Sequence, residues 1–388
     1  MAIINRIAEF HDEMTAWRRQ LHAHPETAFE ERDTSDFVAA RLQAFGIPIH
    51  RGLARTGIVG TLEGKRPGPA IALRADMDAL PIAEKNGFAH ASHVAGKMHA
   101  CGHDGHTTML LGAARYLAET RNFAGTVHFI FQPAEENEGG GKAMVEEGLF
   151  QKFPVEAVYG MHNWPGLAVG NFAIRPGPML AACDLFELVV DGKGTHAAMP
   201  HLGIDPIICA AQIATALQTI TSRNTHPLDS AVLSITQVHG GDTWNVIPDS
   251  VVLRGTARSF KPGVQDAIEA GILRVAKGVA DAMGANVELR YDRRYPATVN
   301  SAAEVETSVA AAGDVAGASH VERNVQPTMG SEDFAFMLNA KPGAYIFIGN
   351  GAGQKSAALH NPHYDFNDAI LPLGASYWAR LVARALGE

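Results

Sequence analysis

Long apolar runs are absent from this chain. Nowhere do about 18 uninterrupted apolar residues occur, so no segment is suited to crossing a membrane as a helix. The opening Met1-Ala-Ile-Ile-Asn-Arg-Ile-Ala-Glu-Phe10 lacks an apolar signal core with a small-residue cleavage site, which sets the expectation of a cytoplasmic protein. Cysteine is scarce: three residues, Cys101, Cys183 and Cys209, are an odd number in a large chain and argue against a disulfide framework. Cys183 and Cys209, in apolar surroundings, read as small core residues. Basic excess is missing too. Lys and Arg number 32 against 41 Asp and Glu, and a net charge of -9 without any basic run gives no footing for a nucleic-acid partner. Familiar signatures are also wanting. There is no H-E-x-x-H and no G-x-S-x-G, and the glycine-rich Gly349-Asn-Gly-Ala-Gly353 has neither the G-x-G-x-x-G spacing nor a following helix, so no dinucleotide site is expected.

What is present is concentrated. Met98-His-Ala-Cys-Gly-His-Asp-Gly-His106 packs three histidines, one cysteine and one aspartate into nine residues, and an apolar helix pattern, Thr107 to Leu117, begins directly behind. Imidazole and thiolate together suit a borderline metal such as zinc, and the glycines let a loop fold tightly enough for two side chains to converge on one ion. Cys101 and His103 are the leading pair on spacing. His99, His106 and Asp104 are candidates for ligands, for orienting groups or for plain helix-cap and surface residues.

The remaining chain is ample for two cores, with 388 residues at 46% hydrophobic content. Ile7, Phe10, Met14, Trp17 and Leu21 recur at helical spacing and predict an amphipathic helix ending near His22-Ala-His-Pro25, where the two histidines read as structural. Asp33 to Phe45 predicts a second helix. Ala70-Ile-Ala-Leu73 reads as a buried strand that delivers Arg74-Ala-Asp-Met-Asp78 at its end, where ligand sites of α/β sheets lie. Asp76 is the candidate supporting acid there, against an ordinary acidic turn.

Two further strand ends carry chemistry. Thr126-Val-His-Phe-Ile-Phe131 leads into Gln132-Pro-Ala-Glu-Glu136, whose adjacent carboxylates on an irregular loop are suited to different jobs, one binding metal and the other handling protons. Ala157-Val-Tyr-Gly-Met161 ends in His162-Asn-Trp-Pro. From Leu185 the rhythm changes: strand Leu185–Val190, helix Ile204–Thr221, strands Ala231–Val238 and Ser250–Ala257, helix Val264–Met283 and strand Ala285–Tyr291 give the order βαββαβ, which predicts a compact sheet with both helices on one face. Beyond Tyr295 the first pattern resumes with helices Ala302–Val315 and Glu332–Leu338, strand Ala344–Ile348 and helix Leu371–Leu386, and His360 or His363 could complete a metal site. The expected architecture is therefore an α/β catalytic domain with a mixed sheet flanked by helices (1–183 and 297–388), interrupted by a smaller ferredoxin-like satellite (184–296).

Arg74-Ala-Asp-Met-Asp-Ala-Leu-Pro, Met98-His-Ala-Cys-Gly-His-Asp-Gly-His, Gln132-Pro-Ala-Glu-Glu, Gly160-Met-His-Asn, Gly194-Thr-His-Ala-Ala-Met-Pro, Met329-Gly-Ser-Glu-Asp-Phe and Leu359-His-Asn-Pro stand in one order over almost the whole chain. Together they resemble the amidohydrolase branch of the aminoacylase and glutamate-carboxypeptidase metallopeptidase family, which includes hippurate hydrolases, N-acyl-amino-acid amidohydrolases and auxin-conjugate hydrolases. The resemblance implies a two-metal site with Cys101, His103, Glu136, His162 and His360 as ligands, Cys101 lying between the metals. It makes Glu135 the general base and Asp76 the residue supporting the metal centre. It further implies that His196 stabilises the developing oxyanion, within its own subunit or across to its neighbour, and that Asn245 and Arg258 hold a substrate carboxylate. Where the wider family has a ligating histidine two residues before the supporting aspartate, this chain has Arg74, and His103 takes the place of that ligand.

The implied reaction is metal-dependent hydrolysis of the amide of an N-acyl-amino acid. The implied cofactors are two divalent ions, zinc or manganese, with cobalt and nickel as further options, and the implied assembly is a homodimer or homotetramer through the satellite. The nearest rival is a carboxypeptidase or dipeptidase with the same centre. A thiol enzyme using Cys101 as nucleophile, with His103 as its base, and a non-catalytic metal-binding protein are rivals from other classes.

Overall fold

The computed structural model describes residues 1–351 and 357–387, and the chain divides into two compact units. The first comprises Met1–Met179, Thr298–Gln326 and the chain from Asp333 onward; the second comprises Leu180–Ala297 together with Pro327–Glu332.

Among the described residues, the first unit is built on an eight-stranded mixed sheet in the order Ile49–Leu53, Gly57–Glu63, Ala124–Gln132, Arg66–Asp76, Ala157–Pro165, Gly343–Gly351, Phe172–Ala173, Val321–Glu322. Its middle is parallel: Ala124–Gln132 and Ala157–Pro165 flank Arg66–Asp76, and Gly343–Gly351 lies beside Ala157–Pro165. Helices cover such strands on both faces, so they read as unbroken apolar runs, and Ile71–Leu73, Phe129–Phe131 and Ala344–Ile348 are all buried. Parallel alignment also carries the ends of successive strands to the same edge of the sheet. Asp76 stands opposite Gln132 there, and the loops that follow each strand leave side by side.

Several boundaries differ from expectation. The opening amphipathic segment is two helices, Asn5–Ala8 and His11–Ala23, because Phe10 N bonds Ile7 O and interrupts the α ladder; Ile7, Phe10, Met14, Trp17 and Leu21 are nevertheless all buried. The strand expected to stop at Met161 runs on to Pro165, since His162, Asn163 and Trp164 pair with Phe347, Ile348 and Gly349. The helix expected from Glu332 begins at Phe334. Behind the cysteine-histidine loop, His103–Thr120 is a helix whose first two turns are wholly buried, packed among His11–Ala23 and Leu371–Leu386. Gly102 makes that entry: its φ is 97°, and a Cβ there would stand 2.2 Å from Asn163 Oδ1.

The second unit is a four-stranded antiparallel sheet, ordered Ala231–His239, Ser250–Ser259, Ala182–Asp191, Asn286–Tyr295, with helices Pro206–Thr219 and Pro262–Met283. Phe186, Leu188 and Val190 alternate along one strand and share a single core with Cys209, Ile213 and Leu217 of one helix and Ile268, Ile272 and Ala276 of the other. Both helices therefore lie on one face, as the βαββαβ order requires. Asp205 caps the first helix by accepting from Ile207 N and Ile208 N, ahead of Pro206 at its first position.

Candidate metal centre

At the shared edge of the large sheet, three loops and one strand bring their chemistry together. Cys101 comes from the loop before the long helix and His103 from its first residue. Glu135 and Glu136 follow Ala124–Gln132, His162 projects from within Ala157–Pro165, and His360 stands after the last sheet strand. The nominated ligands fall into two groups that share Cys101. One is Cys101, His103 and His162, the other Cys101, Glu136 and His360, and the ligand atoms of each group all lie within 4.8 Å of one another. Glu135 belongs to a further such group with His103 and Glu136.

The hydrogen bonds set which atoms are free to bind. His162 Nδ1 donates to Asn163 O at 2.6 Å, which leaves Nε2 unprotonated and 3.4 Å from Cys101 Sγ. His103 Nδ1 lies 3.3 Å from Asp78 Oδ1, while its Nε2 finds no hydrogen-bond partner among the described residues although it is buried. His360 Nε2 is 3.0 Å from Glu136 Oε1, and His360 sits at φ 62°, outside the range most side chains adopt. His106 differs. Its Nδ1 meets Asp76 Oδ1 at 2.6 Å and its Nε2 meets Asn163, so both nitrogens are committed to holding neighbours. Asp104 likewise turns away, bonding His22 Nδ1 and Gly105 N. His99 is buried with neither ring nitrogen hydrogen-bonded to any described residue, and burial pushes its pKa down to about 4.

A cation fits this donor set. Burial opposes charge on His103, yet Asp76 and Asp78 outweigh it and push that imidazole up to about 10. A field that holds a proton so firmly also favours a metal ion in the proton's place. Burial and the nearby Glu136 and Glu135 raise the Cys101 thiol well above its ordinary range, as expected where a thiolate has no positive partner.

Asp76 is fully buried between His106 and Arg74, whose Nη1 donates to Asp76 Oδ2 at 2.7 Å. Despite the cost of burial, His103, Arg74 and His106 hold its carboxyl well below the usual range. Arg74 is also bonded to Gln132 and Asp333, so the arginine in the wider family's histidine position serves as a buried brace.

Sequence reading passed over two acids. Asp78, to which the sequence assigned no role, accepts the backbone N–H groups of both Glu135 and Glu136, at 3.0 and 2.9 Å. Glu31, wholly buried, accepts from Phe29 N, Ala134 N and Thr56 Oγ1. A second acid at the strand end was a usable signal for Asp78. Glu31 left none.

His196, Asn245 and Arg258 belong to the second unit. His196 lies on the short strand Thr195–His196, opposite Val246, and Ala197 N donates to Asn245 O at 2.9 Å, so His196 and Asn245 are neighbours and both are exposed. Arg258 is on strand Ser250–Ser259, half-buried, and donates to Ser331 Oγ at 3.0 Å. Of the alternative partners named for the metal site, His363 is not among the groups that could hold an ion.

A hippurate hydrolase of Campylobacter jejuni is 39% identical over 386 residues, covering all of both chains. An N-acetyl-L-cysteine deacetylase of Bacillus subtilis is 40% identical over 374 residues, 95% of this chain and 87% of that one. The crystal structure of the Bacillus subtilis YXEP protein, a dinuclear metal binding peptidase from the M20 family, superposes with a TM-score of 0.86 at 35% identity, over 98% of this chain and 99% of that one. Residues 72–384 match the model of peptidase family M20/M25/M40, and the chain belongs to that family.

Proposed function

We propose that this protein hydrolyses the amide bond of N-acyl-amino acids at a centre of two divalent ions, releasing a carboxylic acid and a free amino acid. One observation carries the reading: the two groups of potential ligands meet at a single sulfur, Cys101, with a second carboxylate, Glu135, beside them. When bound, the ions supply Lewis acidity and bring the pKa of water from 15.7 down to about 7. Glu135 takes the proton of the attacking water as its oxygen adds to the carbonyl carbon. It then delivers that proton to the nitrogen as the C–N bond breaks. Asp78 fixes both carboxylates through their own backbone amides and faces His103 Nδ1, while Asp76, braced by Arg74 and His106, places its negative charge 3.8 Å from His103 Nε2. His196 would stabilise the oxyanion, and Arg258 with Asn245 would grip the substrate carboxylate.

The thiolate in the donor set favours zinc, with manganese the alternative for the carboxylate-rich half. A homodimer through the second unit is supported by its exposed apolar side chains. Ile208, Val238 and Trp244 are 51%, 64% and 103% exposed, and Val238 lies on the outermost strand of its sheet. Three unpaired thiols suit a reducing, cytoplasmic setting, and no helix among the described residues is long and apolar enough to cross a membrane.

The test is Glu135→Gln in the metal-loaded enzyme. Turnover of N-acyl-amino acids should fall by about 10²–10⁴ while metal content stays at the wild-type value, and a near-normal rate would remove Glu135 from the mechanism.

A further inference from the structure

A cleft of about 450 Å³ opens in the first unit directly beside Glu136, between the Thr27–Glu30 turn, Arg55, the Ala79–Pro81 segment and Glu136–Glu138. Its backbone is unusual. Phe29, Arg55 and Asn137, three of its lining residues, have φ of 61°, 71° and 68°, and Ala54, next to Arg55, and Ala134, next to Glu135, have 47° and 55°. Left-handed backbone is uncommon for residues other than glycine, and it persists only where the surroundings enforce it. The enforcing group is Glu31. Its buried carboxylate accepts from Phe29 N at 3.0 Å, from Thr56 Oγ1 at 2.7 Å and from Ala134 N at 2.9 Å. One side chain thus pins three turns of the cleft, and one of those turns leads directly into Glu135 and Glu136.

Charge and shape decide which part of a substrate enters. Of the two halves of an N-acyl-amino acid, the amino-acid half carries a carboxylate and the acyl half does not. The cleft is lined by Glu30, Glu136 and Glu138 against the guanidinium of Arg55, with Glu30 paired to Lys97 at 2.5 Å, and Arg55 is itself laid over the Phe29 ring, its Cζ 4.8 Å from the ring centroid. Carboxylates outnumber cations among the lining residues, which disfavours a further free carboxylate. Ala28, Pro81 and the half-buried Phe29 ring offer apolar surface instead, in a volume far beyond what the methyl of an acetyl group fills.

We infer that this cleft is the acyl subsite of the enzyme, that it selects bulky uncharged acyl groups, aromatic ones above all, over acetyl, and that Phe29 and Arg55 set the selectivity. The inference rests on the N-acyl-amino-acid reading above and extends it to the substrate's acyl half.

The experiment measures kcat/KM of the metal-loaded enzyme for N-benzoyl, N-acetyl and N-succinyl derivatives of the same amino acid, over several amino acids. Wild type should favour benzoyl over acetyl by about tenfold or more and should discriminate against succinyl, whose acyl chain ends in a carboxylate. Phe29→Ala and the exposed Arg55→Ala should each lower the benzoyl-to-acetyl ratio about fivefold or more, a change of ratio that general loss of folded enzyme cannot produce. Glu138→Gln should raise the succinyl rate relative to acetyl. A ratio that stays within about twofold of wild type in both Phe29→Ala and Arg55→Ala would overturn the subsite while leaving the hydrolase reading intact. A wild-type enzyme with its metals bound that cleaves none of the three series would overturn the hydrolase reading itself.

Discussion

The residues nominated in the first unit, the exposed His360 apart, are held from several sides, whereas His196 and Asn245 of the second stand in solvent. Glu135 and His162 are each 7% exposed and His103 is fully buried, and behind them Asp78, Asp76, Arg74 and His106 fix backbone and ring positions through a continuous set of hydrogen bonds. His196 and Asn245 are joined through a two-residue ladder and an exposed loop. A site built at the ends of buried parallel strands inherits the rigidity of the sheet, while one built on exposed loops depends on what later comes to rest on it. The first kind should lose stability and function together when altered. The second should lose function alone.

The sharpest way to break this contrast is Cys101→Ser. Because both ligand groups share its sulfur, both ions should be weakened at once, by more than the 10–100-fold that removal of an outer supporting residue costs, and metal analysis should find well under the wild-type content. Retention of two ions per chain would show that the sulfur is not shared. His196→Ala comes next. If this exposed imidazole stabilises the oxyanion, kcat should fall about 10²–10³ while the melting temperature stays at the wild-type value, since exposed substitutions usually change stability by under about 0.5 kcal/mol. A fall in both would place His196 with the braced residues of the first unit.

Asp78→Asn should have a smaller effect on rate but a broader one. The amide oxygen can accept only one of the two backbone N–H groups that the carboxylate now takes, and the partner of His103 Nδ1 loses its charge. Metal affinity should drop about 10–100-fold, with a measurable loss of thermal stability in the metal-free protein. A variant that loses rate but keeps both affinity and stability would separate Asp78 from the metal centre.

How much of this was open to reading differs residue by residue. The order of strands and helices was legible because buried strands announce themselves as β-branched runs and the satellite's alternation is regular. Cys101, the Glu135–Glu136 pair and His162 stood out as candidates because ligand chemistry at the ends of three successive strands is a poor coincidence, whereas the choice between the two carboxylates came only from the family resemblance. The roles of Asp78 and Glu31 were not legible, since both accept main-chain N–H groups, which carry no sequence signature; only the place of Asp78 at a strand end pointed to the site. Glu31 meets Ala134 across 103 residues. The extension of a strand through His162 to Pro165 was equally hidden, because it depends on the neighbouring strand Gly343–Gly351 and on Trp164 stacking over Phe347 at 4.1 Å.

His22 extends the contrast to pH. Sequence reading set it aside as a helix-end residue, and it does lie at the end of its helix. It is wholly buried, with Nδ1 2.8 Å from Asp104 Oδ2 and Nε2 3.2 Å from Glu84 Oε1, so both nitrogens face carboxylate acceptors and both must donate. Burial opposes its charge, but the bonds to Asp104 and Glu84 outweigh burial and the repulsion of Arg18, and they push its pKa up to about 9. A histidine raised above its ordinary value of about 6.5 contributes stability that is complete below that value and is lost as pH rises through the folded one. Stability should therefore decline between about pH 6.5 and 9, with a slope of at most about 1.4 kcal/mol per pH unit from this group. His22→Gln should be less stable at neutral pH and should flatten the slope, whereas His196→Ala, which alters an exposed ring, should leave it untouched. Denaturant melts from pH 6 to 9.5 on the three proteins decide the matter, and a slope surviving in His22→Gln would move the titration to another group of the first unit.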